Sequence, residues 1–161
     1  CEAVYAAGRS LGMALFDHRS GALLVSIGLE PRVPLNPRGW EIGYWTRSRL
    51  AGRGLCTLAV RIMTVYAFDL LDADRVQILT SRPNEASARV AQKCGYVHEA
   101  DLENAVAAPA PEHVRAGLVA DPITRCWAMV PRTFAQAPWA PAMRRALVVE
   151  NLLGQTVTGW C

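Results

Sequence analysis

The feature that most restricts the fold of this chain is an apolar, β-prone segment that runs into an arginine- and glycine-rich loop and then into a helix. Residues 41–54 contain the segment and the loop, and an apolar-periodic stretch begins at Leu55. The first N–H groups of a helix lack intrahelical partners and carry partial positive charge, so this junction favours an anion. Gly52 and Gly54 allow a phosphate to approach the backbone closely. The arginines that would add donors for phosphate oxygens are Arg47, Arg49 and Arg53.

The residues around the loop argue against two common nucleotide sites. A nucleotide-triphosphate loop ends in Gly-Lys-Ser or Gly-Lys-Thr, whereas Gly52 is followed by Arg53, Gly54 and Leu55. A dinucleotide-binding fingerprint needs Gly or Ala at the position that Thr57 occupies. The sequence therefore predicts a pyrophosphate site of another kind.

Four short motifs follow one another along the chain. In chain order they are Glu41-Ile-Gly-Tyr-Trp45, Arg49-Leu-Ala-Gly52-Arg-Gly54, Tyr66-Ala-Phe68 and Asn84-Glu-Ala-Ser87, the last followed by Lys93-Cys-Gly-Tyr-Val97-His-Glu99. Together they resemble the Gcn5-related N-acetyltransferases (the GNAT superfamily), and in particular its RimJ/RimL-like branch, whose loop signature is R/Q-x-x-G-x-G/A.

The resemblance implies an acetyl-CoA-dependent N-acetyltransferase in which a primary amine attacks the thioester directly. It implies that Trp45, Thr46 and Arg47 bind the pantetheine arm. The further residues implied to bind acetyl-CoA are Arg49, Gly52, Arg53, Gly54, Leu55, Cys56 and Asn84. Acceptors in this branch include protein N-termini and small-molecule amines. The alternatives are a CoA-binding module without catalysis and a purely structural domain.

Acetyl transfer to an amine requires a base for the ammonium and a proton donor for the thiolate. Glu41 is the candidate base, and the alternative is a structural carboxylate that is paired with an arginine or exposed on an edge. Ser87 is the candidate donor, because the resemblance implies a serine three residues after Asn84 in this role; the alternative is ordinary chemistry at a helix start. Tyr44 and Trp45 alternate on the strand, so we expect one ring to face the core and the other the cofactor.

The pattern of elements predicts an α/β fold, which the resemblance specifies as a mixed, mostly antiparallel sheet, splayed in the middle and flanked by helices. Strands are predicted at 11–16, 22–29, 40–46, 75–80, from 96 onward and at 123–130, and helices at 55–70 and 84–94. Asn84 suits the N-cap of the second helix and Gly95 its C-terminal stop. The three prolines between Pro31 and Pro37 predict a loop.

Two regions are expected along the chain. Residues 1–131 form the acetyltransferase domain, in which the strand and helices that precede the first hairpin in the family have no counterpart, so we expect a fragment. Residues 132–161 are predicted to be a Pro/Ala-rich linker with an amphipathic helix over 142–153. Residues 105–119 are predicted to form a loop.

The composition limits the kinds of ligand and partner that we expect this chain to bind. A formal net charge of +3 is too small to indicate nucleic acid but is compatible with an anionic ligand such as CoA. No apolar run approaches about 18 residues, so no membrane partner is expected. The five cysteines form no C-x-x-C pair, which argues against a metal and favours reduced thiols in the cytoplasm. The resemblance also allows a homodimer, since family members are often dimers.

Overall fold

Six strands form one sheet in the part of the chain that the structure describes, which is residues 10–32, 36–105 and 123–145 of a computed structural model. They are β1 (Leu11–Phe16), β2 (Leu23–Arg32), β3 (Asn36–Thr46), β4 (Arg75–Ser81), β5 (Val97–Glu103) and β6 (Ile123–Met129). Their order is β1-β2-β3-β4-β6-β5, and every neighbouring pair is antiparallel except β3 and β4. The predicted fold class, a mixed and mostly antiparallel sheet, is confirmed.

The sheet opens between its two central strands. The parallel pairing of β3 and β4 joins only residues 39–41 to residues 75–77, although β3 continues to Thr46 and β4 to Ser81. Parallel strands that stay adjacent keep bonding at regular intervals. Beyond Glu41 the two strands therefore diverge, which leaves a gap at their carboxyl ends.

Two helices flank the opening. Helix α1 (Leu55–Val65) continues into a π-helical turn over Tyr66–Leu70, and α2 covers Glu85–Lys93. The Ser87 backbone N–H donates to the Asn84 side chain at 3.1 Å, as an N-cap residue requires. Gly95 has φ 83°, a left-handed conformation suited to a helix stop. The two predicted helices and both predicted end signals are confirmed.

The core lies between these helices and one face of the sheet. It contains β-strand residues such as Ile42 and Ile78, together with Val60 and Met63 of α1. The alternating burial of β2 and β4 matches strands with one buried face. This packing fixes α1 and its N-terminus against the divergent strands.

The predicted loop between Pro31 and Pro37 is wrong at both of its ends. Pro31 and Arg32 belong to β2, and Asn36 and Pro37 belong to β3, with Arg32 opposite Asn36. Pairing of β1 with β2 stops at Leu29, so among the described residues β2 has a neighbour on one side only at Pro31. A strand tolerates proline at such an edge, because a missing N–H there breaks no ladder bond.

The segment predicted as a linker packs against the domain within the described residues. A short helix, α3 (Pro131–Ala135), is followed by a helical stretch at 140–145. Phe134 stacks on Phe68 with ring centroids 4.6 Å apart. Trp139 is buried, and its Nε1 donates to the Cys94 carbonyl at 3.2 Å. The predicted loop beyond residue 105 and the predicted helix beyond residue 145 lie outside the described residues.

Candidate active site

A cleft of about 480 Å³ lies beside the end of β3, beyond the last residue of β3 that pairs with β4. Its walls are residues 44–46 at the end of β3, residues 50–57 of the loop and the first turn of α1, and one face of α2. The lining residues contributed by α2 and its cap are Asn84, Ala86, Ser87, Arg89, Val90 and Lys93. The cleft thus combines a glycine loop, a helix N-terminus and the free end of β3.

The loop has the geometry of an anion site. Gly52 and Gly54 have φ values of 78° and 79°, and Gly54 is the N-cap of α1. No side chain caps this helix, and its first turn contains no acidic residue. No heavy atom lies within 4 Å of a Cβ built on either glycine, so the space beside the backbone is open. A pyrophosphate fits these features, since it needs close backbone approach, free N–H groups and positive potential.

The three loop arginines are placed differently. Arg53 is exposed and lines the cleft. Arg47 and Arg49 are also exposed but are not among the described residues that line it, Arg49 being in the 3₁₀ turn Ser48–Leu50. Arg89 and Lys93 line the opposite wall. Positive charge therefore flanks the cleft from the loop and from α2.

The end of β3 provides the wall beside the opening. Trp45 lines the cleft with 55% of its surface exposed. The Thr46 hydroxyl donates to the Leu24 carbonyl at 2.6 Å, which ties the end of β3 to β2. Cys56 lies in the first turn of α1, and burial raises the pKa of its thiol. Cys56 is therefore a protonated lining residue at neutral pH rather than a thiolate nucleophile.

Ser87 lies in the cleft wall with a tyrosine bonded to it. The Tyr44 hydroxyl lies 2.8 Å from Ser87 Oγ, and it also donates to the Ser87 carbonyl at 3.2 Å. Burial raises the pKa of Tyr44 to about 12, although its bond to Ser87 acts in the opposite direction. Tyr44 is therefore a neutral phenol across the physiological range.

Glu41 lies at the closed end of the gap between β3 and β4. Its position is the last at which β3 pairs with β4, opposite Gln77. Glu41 Oε2 accepts from Arg32 Nη1 at 3.0 Å and from Gln77 Nε2 at 3.1 Å. Glu41 is not among the described residues that line the cleft.

The structure brings most of the sequence-predicted site residues together. Those that line the cleft are Trp45, Thr46, Gly52, Arg53, Gly54, Leu55, Cys56, Asn84 and Ser87. Tyr44, Arg89 and Lys93 also line the cleft, although the sequence motifs did not predict them as site residues. Arg89 and Lys93 have a helical i, i+4 spacing, which places them on one face of α2. That spacing was a usable signal, but it does not say which face meets the loop.

Comparison with known proteins identifies the class that this fold and cleft represent. A family model described as "Acetyltransferase (GNAT) domain" matches residues 2–97. The chain belongs to the GNAT acetyltransferase family. The resemblance to the GNAT superfamily is therefore confirmed.

Individual relatives cover the chain to different extents. "Putative ribosomal N-acetyltransferase YdaF" of Bacillus subtilis is 35% identical over 79 residues, which are 49% of this chain and 43% of that protein. A solved "Probable acetyltransferase" has a TM-score of 0.65 and 26% identity, over 81% of this chain and 66% of that one. Mycobacterium smegmatis RimJ in complex with CoA-disulfide has a TM-score of 0.68 and 19% identity, over 92% and 64% of the two chains. The match therefore spans less than half of the curated relative's length.

Three further observations concern the described residues. None of their helices combines the length and the apolar character that crossing a bilayer requires. They contain no group of three or more His, Cys, Asp or Glu side chains arranged to hold a metal ion. Cys56, Cys94 and Cys126 are free thiols.

Proposed function

We propose that this chain is an acetyl-CoA-dependent N-acetyltransferase that acts on a primary amine. The observation that carries the proposal is the cleft, because it places the uncapped N-terminus of α1 and its left-handed glycines beside the gap between β3 and β4. One end of the cleft suits phosphates, and the other offers strand edges and hydroxyl groups to a thioester.

Acetyl-CoA fits the cleft from the loop inward. The N–H groups at the start of α1 and the Arg53 guanidinium hold the pyrophosphate, with Arg47 and Arg49 adding charge from the edge. Trp45, Thr46 and Asn84 contact the pantetheine arm. The Asn84 side-chain oxygen caps α2, so we expect its amide nitrogen to be the group that faces the arm.

Ser87 is the proposed proton donor to the leaving thiolate. Its side chain is in the cleft wall contributed by α2, and its hydroxyl lies 2.8 Å from that of Tyr44. When the amine nitrogen bonds to the acetyl carbon, the carbon–sulfur bond breaks and its electron pair goes to sulfur. A hydroxyl beside the sulfur stabilises that charge and supplies a proton.

Glu41 is the proposed base for the incoming ammonium. The hydrogen bonds that Arg32 and Gln77 donate to Glu41 both go to Oε2, so Oε1 is the atom we assign to the proton, directly or through water. We expect Glu41→Gln to lower kcat at least tenfold at neutral pH, with unchanged acetyl-CoA affinity. Glu30→Gln is the matched control, because Glu30 lies directly opposite Glu41 on β2. Equal turnover by Glu41→Gln and Glu30→Gln would remove Glu41 from the mechanism.

The acceptor is proposed as a protein N-terminus or a small-molecule amine. YdaF is named as a ribosomal N-acetyltransferase, and a neighbour of similar fold is a spermidine N-acetyltransferase from Vibrio cholerae. A suitable panel therefore contains peptides with free N-termini, and spermidine. Release of free CoA thiol reports transfer to any of them.

Calorimetric titration with acetyl-CoA tests the site before any acceptor is known. We expect saturable binding by the parent chain and its loss in an Arg53→Glu, Gly54→Asp double variant. Arg19→Glu with Gly21→Asp is the matched control, because it makes the same charge changes in a turn where Gly21 also has positive φ, 67°. Failure of the parent to bind acetyl-CoA would refute the proposal. Binding without transfer to any amine in the panel would favour a non-catalytic CoA-binding module.

Location and assembly are proposed on narrower grounds. The free thiols of the described residues support the reduced environment of the cytoplasm. A homodimer is proposed from the family resemblance. Sedimentation of the purified chain, with and without acetyl-CoA, tests the assembly.

A further inference from the structure

A hydrogen-bonded pair of side chains from two elements lies in the wall of the cleft. Tyr44 comes from the end of β3 and Ser87 from the first turn of α2, with 2.8 Å between their hydroxyl oxygens. Both residues line the cleft. We propose that Tyr44 is a positioning residue that holds the Ser87 hydroxyl so that its proton faces the thioester sulfur. This inference rests on the proposed function and assigns a role to a side chain outside the predicted site.

The proton count of the pair defines two arrangements. The Tyr44 phenol has one hydroxyl proton to donate. If Tyr44 donates it to the Ser87 carbonyl, 3.2 Å away, Ser87 fills the shorter contact by donating to the Tyr44 oxygen. If Tyr44 instead donates to Ser87 Oγ, the Ser87 proton is free to point into the cleft. A switch between two acceptors on one residue needs only rotation of the two hydroxyl groups.

The second arrangement is the one that supports transfer. As the carbon–nitrogen bond forms and the carbon–sulfur bond breaks, the departing electron pair on sulfur takes the Ser87 proton. The ammonium loses one proton to its base before attack, and the nitrogen loses a second as the amide forms. One of these replaces, through solvent, the proton that Ser87 gave to sulfur, and the other is released to solvent. Tyr44 keeps its own proton throughout and stabilises the charge that develops on the Ser87 oxygen.

Burial of Tyr44 supports this division of roles. Its ring packs against the core, and its pKa is raised to about 12. A phenol that keeps its proton at neutral pH remains a hydrogen-bond donor to a neighbouring oxygen, which here is Ser87 Oγ. Asn84 fixes the other side of the pair, because it accepts from the Ser87 backbone N–H at 3.1 Å. Backbone and hydroxyl of Ser87 are thus each held by a different residue.

The test is a set of single and double variants assayed with acetyl-CoA and the amine panel. Ser87→Ala is expected to lower kcat about a hundredfold, the low end for a lost general acid. Tyr44→Phe removes one oriented hydrogen bond and is expected to lower kcat about tenfold, with acetyl-CoA affinity within twofold of the parent. The Tyr44→Phe, Ser87→Ala variant is expected to match Ser87→Ala alone, because Tyr44 acts only through Ser87.

Tyr66→Phe is the matched control, since Tyr66 is also a partly buried tyrosine but lies outside the cleft lining. Titration with acetyl-CoA shows whether Tyr44→Phe keeps a folded site, independently of turnover. Turnover of Tyr44→Phe equal to that of Tyr66→Phe overturns the inference while the proposed function stands. Fully additive losses in the double variant, or a loss confined to affinity, also overturn it. Absence of turnover by the parent refutes the proposed function and this inference together.

Discussion

Replacement of Gly54 by alanine isolates the energetic role of the anion-binding loop. Gly54 is the N-cap of α1 with φ 79°, and the left-handed region costs an L-residue about 1–2 kcal/mol relative to glycine. A Cβ at this position meets no heavy atom within 4 Å, so the φ angle is the only source of strain. Gly→Ala also restricts the unfolded chain, which stabilises by about 0.4–1 kcal/mol at a compatible site.

A second glycine removes the unfolded-state contribution from the comparison. Gly12, in β1, also has open space around an added Cβ but no positive φ. The entropy gain therefore cancels between Gly54→Ala and Gly12→Ala, and the difference leaves the φ cost of about 1–2 kcal/mol. With a urea m-value of about 2 kcal/mol/M, the unfolding midpoint of Gly54→Ala should lie about 0.5–1 M below that of Gly12→Ala.

The same cost limits the effect on affinity. If the loop stays left-handed with alanine, the protein loses stability and keeps its affinity for acetyl-CoA. If the loop relaxes, stability is kept, but the binding-competent population falls and the apparent Kd rises about 5–30-fold. The φ cost therefore appears as lost stability, as lost affinity or as a part of each. Urea denaturation of both variants measures the first part, and calorimetric titration measures the second. Stability and affinity that both equal those of Gly12→Ala would show that the loop needs no left-handed residue at position 54.

Three further outcomes are expected. The double variant Arg89→Gln, Lys93→Gln should weaken the binding of CoA about tenfold, because each exposed charge contributes about 0.7 kcal/mol of attraction to the 3′-phosphate. Its affinity for dephospho-CoA, which lacks that phosphate, should change little. Arg132→Gln, outside the cleft, should change neither affinity. Burial raises the pKa of Cys94 from 9.0 to about 12, so the folded state keeps a proton that the unfolded state releases. The free energy of unfolding should therefore fall as the pH rises above about 9. In urea denaturation at a series of pH values, Cys94→Ala should make this fall less steep between about pH 9 and pH 10. Trp139→Ala should lower the free energy of unfolding by about 3–5 kcal/mol, measured by urea denaturation, because it empties a buried site and leaves a carbonyl without its donor.

Elements whose boundaries depend on local chemistry were predictable from the sequence. The second helix is the clearest case, since Asn84 caps its start and Gly95 takes the left-handed conformation after its end. The loop at 52–54 is another, because only glycine adopts its backbone angles without strain. The proline segment shows the limit of this reasoning. Whether Pro31 breaks a strand depends on whether another strand lies beside it, and that is a property of the sheet.

Contacts between distant residues needed the tertiary structure. Glu41 could be named as a candidate from its motif, but its bonds to Arg32 and Gln77 depend on the register of three strands. Tyr44 and Ser87 are 43 residues apart in the chain. The alternation of side chains along a strand does not show which of two neighbouring aromatic rings contacts which helix.

The sequence by itself determined the strand, glycine loop and helix that make an anion site, because backbone conformation and capping are set by residues close together in the chain. It also determined the family, through motifs in and around those elements. Only the tertiary structure decided that the central strands part beyond Glu41, that Tyr44 meets Ser87, and that Trp139 closes the core. These depend on how the elements pack, since side chains far apart in sequence are brought together only when the sheet and helices assemble.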